Sequence, residues 1–121
     1  MSPPAPKQIC FLNTTPFWGG GERWNLVTAQ HLRERGHEVH FLTSPDSPLC
    51  QRATLEGFPT SEIAVTNRSL LNPFIYRRIK RFLKDRAIDT VVFNGPKDFK
   101  AGGPAARAAG IQTRVFQRGL A

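Results

Sequence analysis

Along the chain, short unbroken apolar runs alternate with longer segments whose apolar residues recur three to four positions apart. The first run, Ile9-Cys10-Phe11-Leu12, is flanked by polar residues and followed by a Thr/Pro/Gly stretch, the pattern of a short strand covered on both faces. From Gly21 the spacing becomes helical. Leu26, Ala29 and Leu32 share a stripe that Val27 widens, Glu22 stands near the positive end, and Gly36 follows Arg33 and Arg35 as a stop. Val39-His40-Phe41-Leu42 predicts a second strand, after which Thr43-Ser44-Pro45-Asp46 opens a helix carrying Leu49, Ala53 and Leu55, ended by Gly57-Phe58-Pro59. Ile63-Ala64-Val65 is read as a third strand. Between Pro73 and Arg86, Ile75, Ile79, Phe82 and Leu83 form one stripe with basic residues around the rest. Ile88 to Phe93 is the clearest buried strand and stops at Asn94-Gly95-Pro96. A small-residue helix follows, with Pro104 in its first turn and Gly110 as its stop, before a fifth strand at Thr113-Arg114-Val115-Phe116. This alternation predicts an α/β fold: a parallel sheet of about five strands flanked by helices, with right-handed crossovers.

The chain has 121 residues, enough for one buried core and too few for two ordinary domains, so a function needing an interdomain cleft must borrow a partner. Its two cysteines, Cys10 in an apolar run and Cys50 in a polar stretch, make neither a disulfide framework nor a metal cluster and read as reduced thiols. Met1 to Pro6 is Pro-rich, lacks the apolar stretch of a signal peptide and is set aside as disordered; no later run is long enough to cross a bilayer, so a cytoplasmic protein is expected. The formal charge of +8 is concentrated: between Arg68 and Arg86 stand seven basic residues against Asp85 alone. The helix of residues 73–86 is thus a solvated outer face or a peripheral contact with an anionic membrane. Nucleic acid is disfavoured by the lack of a reading motif and of interleaved surface aromatics.

In a parallel α/β sheet, ligands bind at the carboxyl ends of the strands, near the switch in strand order. The loop after the first strand places Gly19-Gly20-Gly21-Glu22 directly before a helix, where bare N–H groups and the helix dipole can meet an anion or sugar hydroxyls; the alternative is a turn that needs positive φ. A phosphate-binding P-loop requires Lys followed by Ser or Thr, and this chain has Glu22-Arg23. A dinucleotide fingerprint fits Gly19 and Gly21 but meets Trp24 where a small residue belongs, and Asp46 is either a ribose contact or a helix cap.

The run Gly19-Gly20-Gly21-Glu22-Arg23-Trp24, with a helix closing in Arg33-Glu34-Arg35-Gly36-His37-Glu38-Val39, resembles the opening of GT-B-fold retaining glycosyltransferases of the family 4, group 1 type. Asp89 to Asn94, Lys97 to Gly102 and Arg114 to Leu120 resemble the fourth and fifth strands of bacterial members that build lipopolysaccharide or related glycans. The resemblance implies a Rossmann-like N-terminal domain, partial over residues 7–121, that holds a glycan or lipid-linked acceptor. A C-terminal domain, absent from this chain, would hold the nucleotide-sugar donor and the family's paired glutamates, leaving the isolated chain inactive.

The resemblance also implies substrate binding at Gly19, Gly20, Gly21 and Glu22 beside the interdomain cleft. Glu22 is either a hydroxyl acceptor or a first-turn dipole partner. Lys97, Asp98 and Lys100, read on the loop after the fourth strand, face a phosphorylated or acidic acceptor or else are a solvated charged loop, and Arg118 follows the fifth strand toward the cleft. No metal or other cofactor is expected. His37 and His40 fall at the opposite end of the sheet and, with His31, are read as structural. An uncovered sheet edge is expected to favour a homodimer. The competing function is a non-catalytic α/β binding module or a nucleotide- or dinucleotide-binding domain.

Overall fold

The run Gln8–Asn13 forms β1 and lies at the centre of the sheet, where neighbours on both sides and helices on both faces demand an unbroken apolar sequence. Cys10, Phe11 and Leu12 are fully buried, or within 1 % of it. The other elements of the computed structural model, which describes residues 5–66 and 72–117, are α1 (Gly20–Glu34), β2 (Glu38–Thr43), α2 (Pro48–Leu55), β3 (Thr60–Glu62), α3 (Pro73–Asp85), β4 (Thr90–Asn94), α4 (Pro96–Ala108) and β5 (Thr113–Gln117). All pairings are parallel, in the order β3-β2-β1-β4-β5. The chain runs outward from β1 to β3, then returns through α3 to pair β4 on the other side of β1. The reversal makes a crevice between the carboxyl ends of β1 and β4.

Alternation along the strands splits the core in two. Cys10, Leu12, Leu42, Val91 and Phe93 face α3 and α4, whereas Ile9, Phe11, Val39, Phe41 and Val92 face α1 and α2. Phe11 stacks on Phe41 with ring centroids 5.4 Å apart, and Phe58 meets Phe41 edge-on at 5.3 Å. Burial of each such side chain contributes about 1.5–3 kcal/mol. α3 inserts Ile79, Phe82 and Leu83 and turns Arg77, Arg78, Arg81 and Lys84 outward, as its periodicity predicts.

Three expectations are corrected. The third strand is Thr60–Glu62, ahead of the apolar triplet at 63–65. Ile63 and Val65 are buried, but after a three-residue edge strand they serve as core residues on the way out of the sheet. Leu55 of α2 is 87 % exposed although Leu49 and Ala53 are buried. The helix after β4 begins at Pro96, so Pro104 lies inside it rather than in its first turn. Pro104 is exposed, so the helical hydrogen bond it cannot donate is lost on the outer face of α4 and not against the core. β5 is one edge of the sheet, and Val115 and Phe116 on it remain 42 % and 39 % exposed.

Candidate functional site

The crevice between β1 and β4 is bordered by the N-termini of α1 and α4. Both helices begin on a glycine, Gly19 and Gly95, that makes no side-chain capping bond. α2 and α3, by contrast, are capped by Ser47 Oγ and Asn72 Oδ1. Each of the two helices at the crevice also carries an acid at its third position, and both acids are buried: Glu22 is 3 % and Asp98 1 % exposed. They turn inward to take hold of Asn13, the last residue of β1, and of Thr14 just after it.

Glu22 Oε2 accepts from Asn13 Nδ2 at 2.9 Å and from Asn94 Nδ2 at 3.3 Å, joining the ends of β1 and β4. Asn13 Nδ2 also donates to Asn25 Oδ1 at 2.8 Å, and Asn13 Oδ1 accepts from the Thr15 amide at 3.0 Å. Asn94 Nδ2 reaches Thr15 Oγ1 at 3.2 Å. A carboxylate so placed is satisfied by amide donors and by the dipole of its own helix. On the other side, both Asp98 oxygens lie 3.2–3.3 Å from the Thr14 amide, and one accepts from Thr14 Oγ1. The Thr14 carbonyl accepts from Lys97 Nζ at 3.2 Å and from Ser44 Oγ. Burial pushes the Asp98 carboxyl up to about 6, opposed by the hydrogen bonds from Thr14 and the charge of Lys97 and reinforced by the charge of Glu22.

Lys97, Asp98 and Lys100 therefore belong to α4 and not to a loop, a correction to the expected setting. Lys97 and Asp98 are engaged with Thr14, and Lys100 is exposed. Arg118 lies outside the described residues, as does Arg68. The three loop glycines are brought together at the crevice, but none has positive φ, which removes the turn-strain explanation for them. Gly21 has another reason: a Cβ there would sit 2.7 Å from Asn94 Oδ1. Gly20 has none from packing, since a Cβ would meet nothing within 4 Å. It is exposed on the first turn of α1, leaving bare backbone open at the crevice.

The histidines lie elsewhere. His37 Nδ1 accepts from the Lys7 amide at 3.0 Å, and His40 Nε2 pairs with Gln8 Oε1 at 3.0 Å, both at the amino end of the sheet. Burial, and secondly Arg86, lowers the His40 pKa against the opposing pull of Glu38. The Cys10 thiol is pushed up to about 12 by burial, with Arg86 opposing, and is a packing group. The sequence reading missed Asn13, Thr14 and Asn94. Their only signal was position, as polar residues at the carboxyl ends of the neighbouring strands β1 and β4.

An open parallel sheet with a glycine loop and two helix N-termini without side-chain caps at its switch point defines a Rossmann-like α/β domain of the kind found in GT-B glycosyltransferases. Residues 18–117 match the model of Glycosyltransferase Family 4, and the chain belongs to that family. Among solved structures, MurG of Acinetobacter baumannii is similar with a TM-score of 0.74 at 23 % identity, over 96 % of this chain and 36 % of that one. A glycosyltransferase from Rickettsia africae gives a TM-score of 0.77 at 17 % identity, over 92 % of this chain and 29 % of that one. Anabaena Alr3699/HepE, in complex with UDP, gives 0.70 at 18 % identity, over 90 % and 28 %. The chain thus spans about a third of the length of these structures. Among curated proteins, none matches the sequence. Among the described residues, no helix is long and apolar enough to cross a membrane, and no three His, Cys, Asp or Glu side chains gather as a metal site.

Proposed function

We propose that this chain is the acceptor-side part of a retaining glycosyltransferase that moves a sugar from a nucleotide-sugar donor to a glycan or lipid-linked acceptor in the cytoplasm, in the assembly of lipopolysaccharide or a related glycan. In such a transfer the bond from the sugar's anomeric carbon to the diphosphate breaks, and one to an acceptor hydroxyl oxygen forms. Charge grows on the departing diphosphate, and fixed donors in a water-poor cleft stabilise it. The observation that supports this reading is Gly20, which offers bare backbone at the α1 N-terminus where packing does not require a glycine. Gly19 and Gly21 extend that rim, Glu22 braces it from beneath through Asn13 and Asn94, and the exposed Lys100 of α4 is read as drawing an anionic acceptor.

Ligand-observed NMR of the chain with nucleotide sugars, dinucleotides and lipopolysaccharide-core oligosaccharides tests it. Oligosaccharide binding is expected, weakened about tenfold or more in Gly20→Ala while the melting temperature holds. Tight dinucleotide binding, or oligosaccharide binding indifferent to the substitution, would overturn it. The outward face of α3 is proposed as the membrane contact of the same enzyme, with Arg77, Arg78, Lys80, Arg81 and Lys84 around Phe74, itself 75 % exposed. The apolar stripe of α3 is committed to the core, so the contact is electrostatic. The chain should float with vesicles containing anionic lipid and be released by salt; equal flotation with neutral vesicles counts against this contact.

A further inference from the structure

Thr14 is held at every polar atom by elements distant in sequence. Its amide and hydroxyl go to Asp98, 84 residues away, and its carbonyl goes to Lys97 and Ser44. The residue is fully buried and stands between the end of β1 and the loop that leads to Gly19, Gly20 and Gly21. A fold can end a strand without this. The other end of the crevice is already tied by Glu22 to Asn13 and Asn94, so packing alone does not call for a second buried carboxylate beside the first. Burying Asp98 at the base of this crevice is costly, since desolvation, and to a lesser degree the charge of Glu22, raises the free energy of ionising it.

We propose that Asp98 is a positioning residue: from the first turn of α4 its carboxylate fixes Thr14 and, through it, the glycine loop, setting the α1 and α4 N-termini at one separation across the crevice. It touches no substrate. The inference rests on the glycosyltransferase reading only for what the loop binds, because the ordering of the loop by Asp98 is a property of the unliganded chain. The charged groups acting on Asp98 are Lys97 on its own helix and Glu22 on α1, with Thr14 as its hydrogen-bond donor. A carboxylate makes these bonds charge-assisted, and protonation leaves only neutral ones, which are roughly half as strong. The order of the loop therefore follows the charge of Asp98.

The test is amide exchange and chemical shift of Thr14 and of residues 19–22, followed by NMR from pH 5 to 8 in this chain and in Asp98→Ala and Asp98→Asn. In the unsubstituted chain the Thr14 amide shift should titrate with a midpoint near 6, and its protection should fall on the acid side. Asp98→Ala should speed exchange at Thr14 by on the order of tenfold to a hundredfold at every pH and should displace the amide shifts of residues 19–22. Asp98→Asn keeps an acceptor for the amide without the charge, so protection at Thr14 should lie between that of the alanine variant and that of the ionised parent at every pH, with the titration abolished; it also serves if the alanine variant does not fold. A Thr14 shift that is flat with pH, or glycine-loop amide shifts unchanged in both variants, overturns the proposal. Loop order that depends on Asp98 without oligosaccharide binding leaves the positioning role standing and removes the acceptor reading. Binding with an indifferent loop does the reverse.

Discussion

Gly102→Ala should lower the melting temperature by roughly 5–15 °C, corresponding to about 1–3 kcal/mol of lost stability. A Cβ at this position would lie 2.8 Å from the Phe93 ring and closer still to Leu12, both fully or almost fully buried. Neither can retreat, because each is wedged in the core beneath α4. The face of α4 that meets the sheet is built from Ala101, Gly102, Ala105 and Ala106, and a single methyl lifts the helix off the strands. Gly103→Ala, one residue on, should have the opposite sign. Its Cβ would make ordinary contact with Phe99 at 3.8 Å, and alanine favours helix over glycine by about 0.5–1 kcal/mol. Thermal denaturation of the two variants side by side decides the matter. Equal stability of Gly102→Ala and the parent would mean that α4 does not seat this closely.

Glu22→Ala should cost roughly 2–3 kcal/mol, because it strips an acceptor from two amide groups at once while leaving both in place. Asn13 is fully buried and cannot turn its amide to solvent. Glu22→Gln retains an acceptor oxygen at the same reach and should cost less than about 1 kcal/mol. Urea denaturation at neutral pH separates the two. A glutamine variant as unstable as the alanine variant would show that the negative charge, rather than the hydrogen-bond geometry, holds the ends of β1 and β4 together.

Much of this architecture was legible in the sequence because burial on both faces leaves a strong mark. Ile9 to Leu12, Val39 to Leu42 and Val91 to Phe93 are apolar runs at the centre of a parallel sheet, and they fall where the runs predict. The third strand was misplaced because an edge strand of three residues is defined by its backbone pairing to β2, with Phe41 opposite Thr60, and not by its side chains. The start of α4 was missed for a related reason. Gly102, Gly103 and Pro104 are local helix breakers, yet the sheet rewards Gly102 with close contact, and Pro104 is tolerated on the exposed face.

The site was half legible. The glycine loop could be placed at the crevice from its position between a strand and a helix. Asp98 could not be seen as buried, since a carboxylate flanked by Lys97 and Lys100 reads as a solvated charge; its partner is the buried Thr14, which no local pattern connects to it. The reason for the glycines was likewise invisible. Backbone angles show that none is needed for a turn, and only the proximity of Asn94 explains Gly21.

The order of the sheet has a consequence for how the molecule comes together and comes apart. β1 pairs with β2 through nearby sequence, but its other flank waits for β4, whose partnership from Ile9 with Thr90 to Leu12 with Phe93 closes the longest loop in the sheet. The chain is thus two halves joined along one seam, and the crevice is the open end of that seam. Asp98 to Thr14 and Glu22 to Asn94 are stitches across it. A molecule bound at the crevice would fasten the halves as well as occupy a site, and would protect β4 and β5 from partial unfolding.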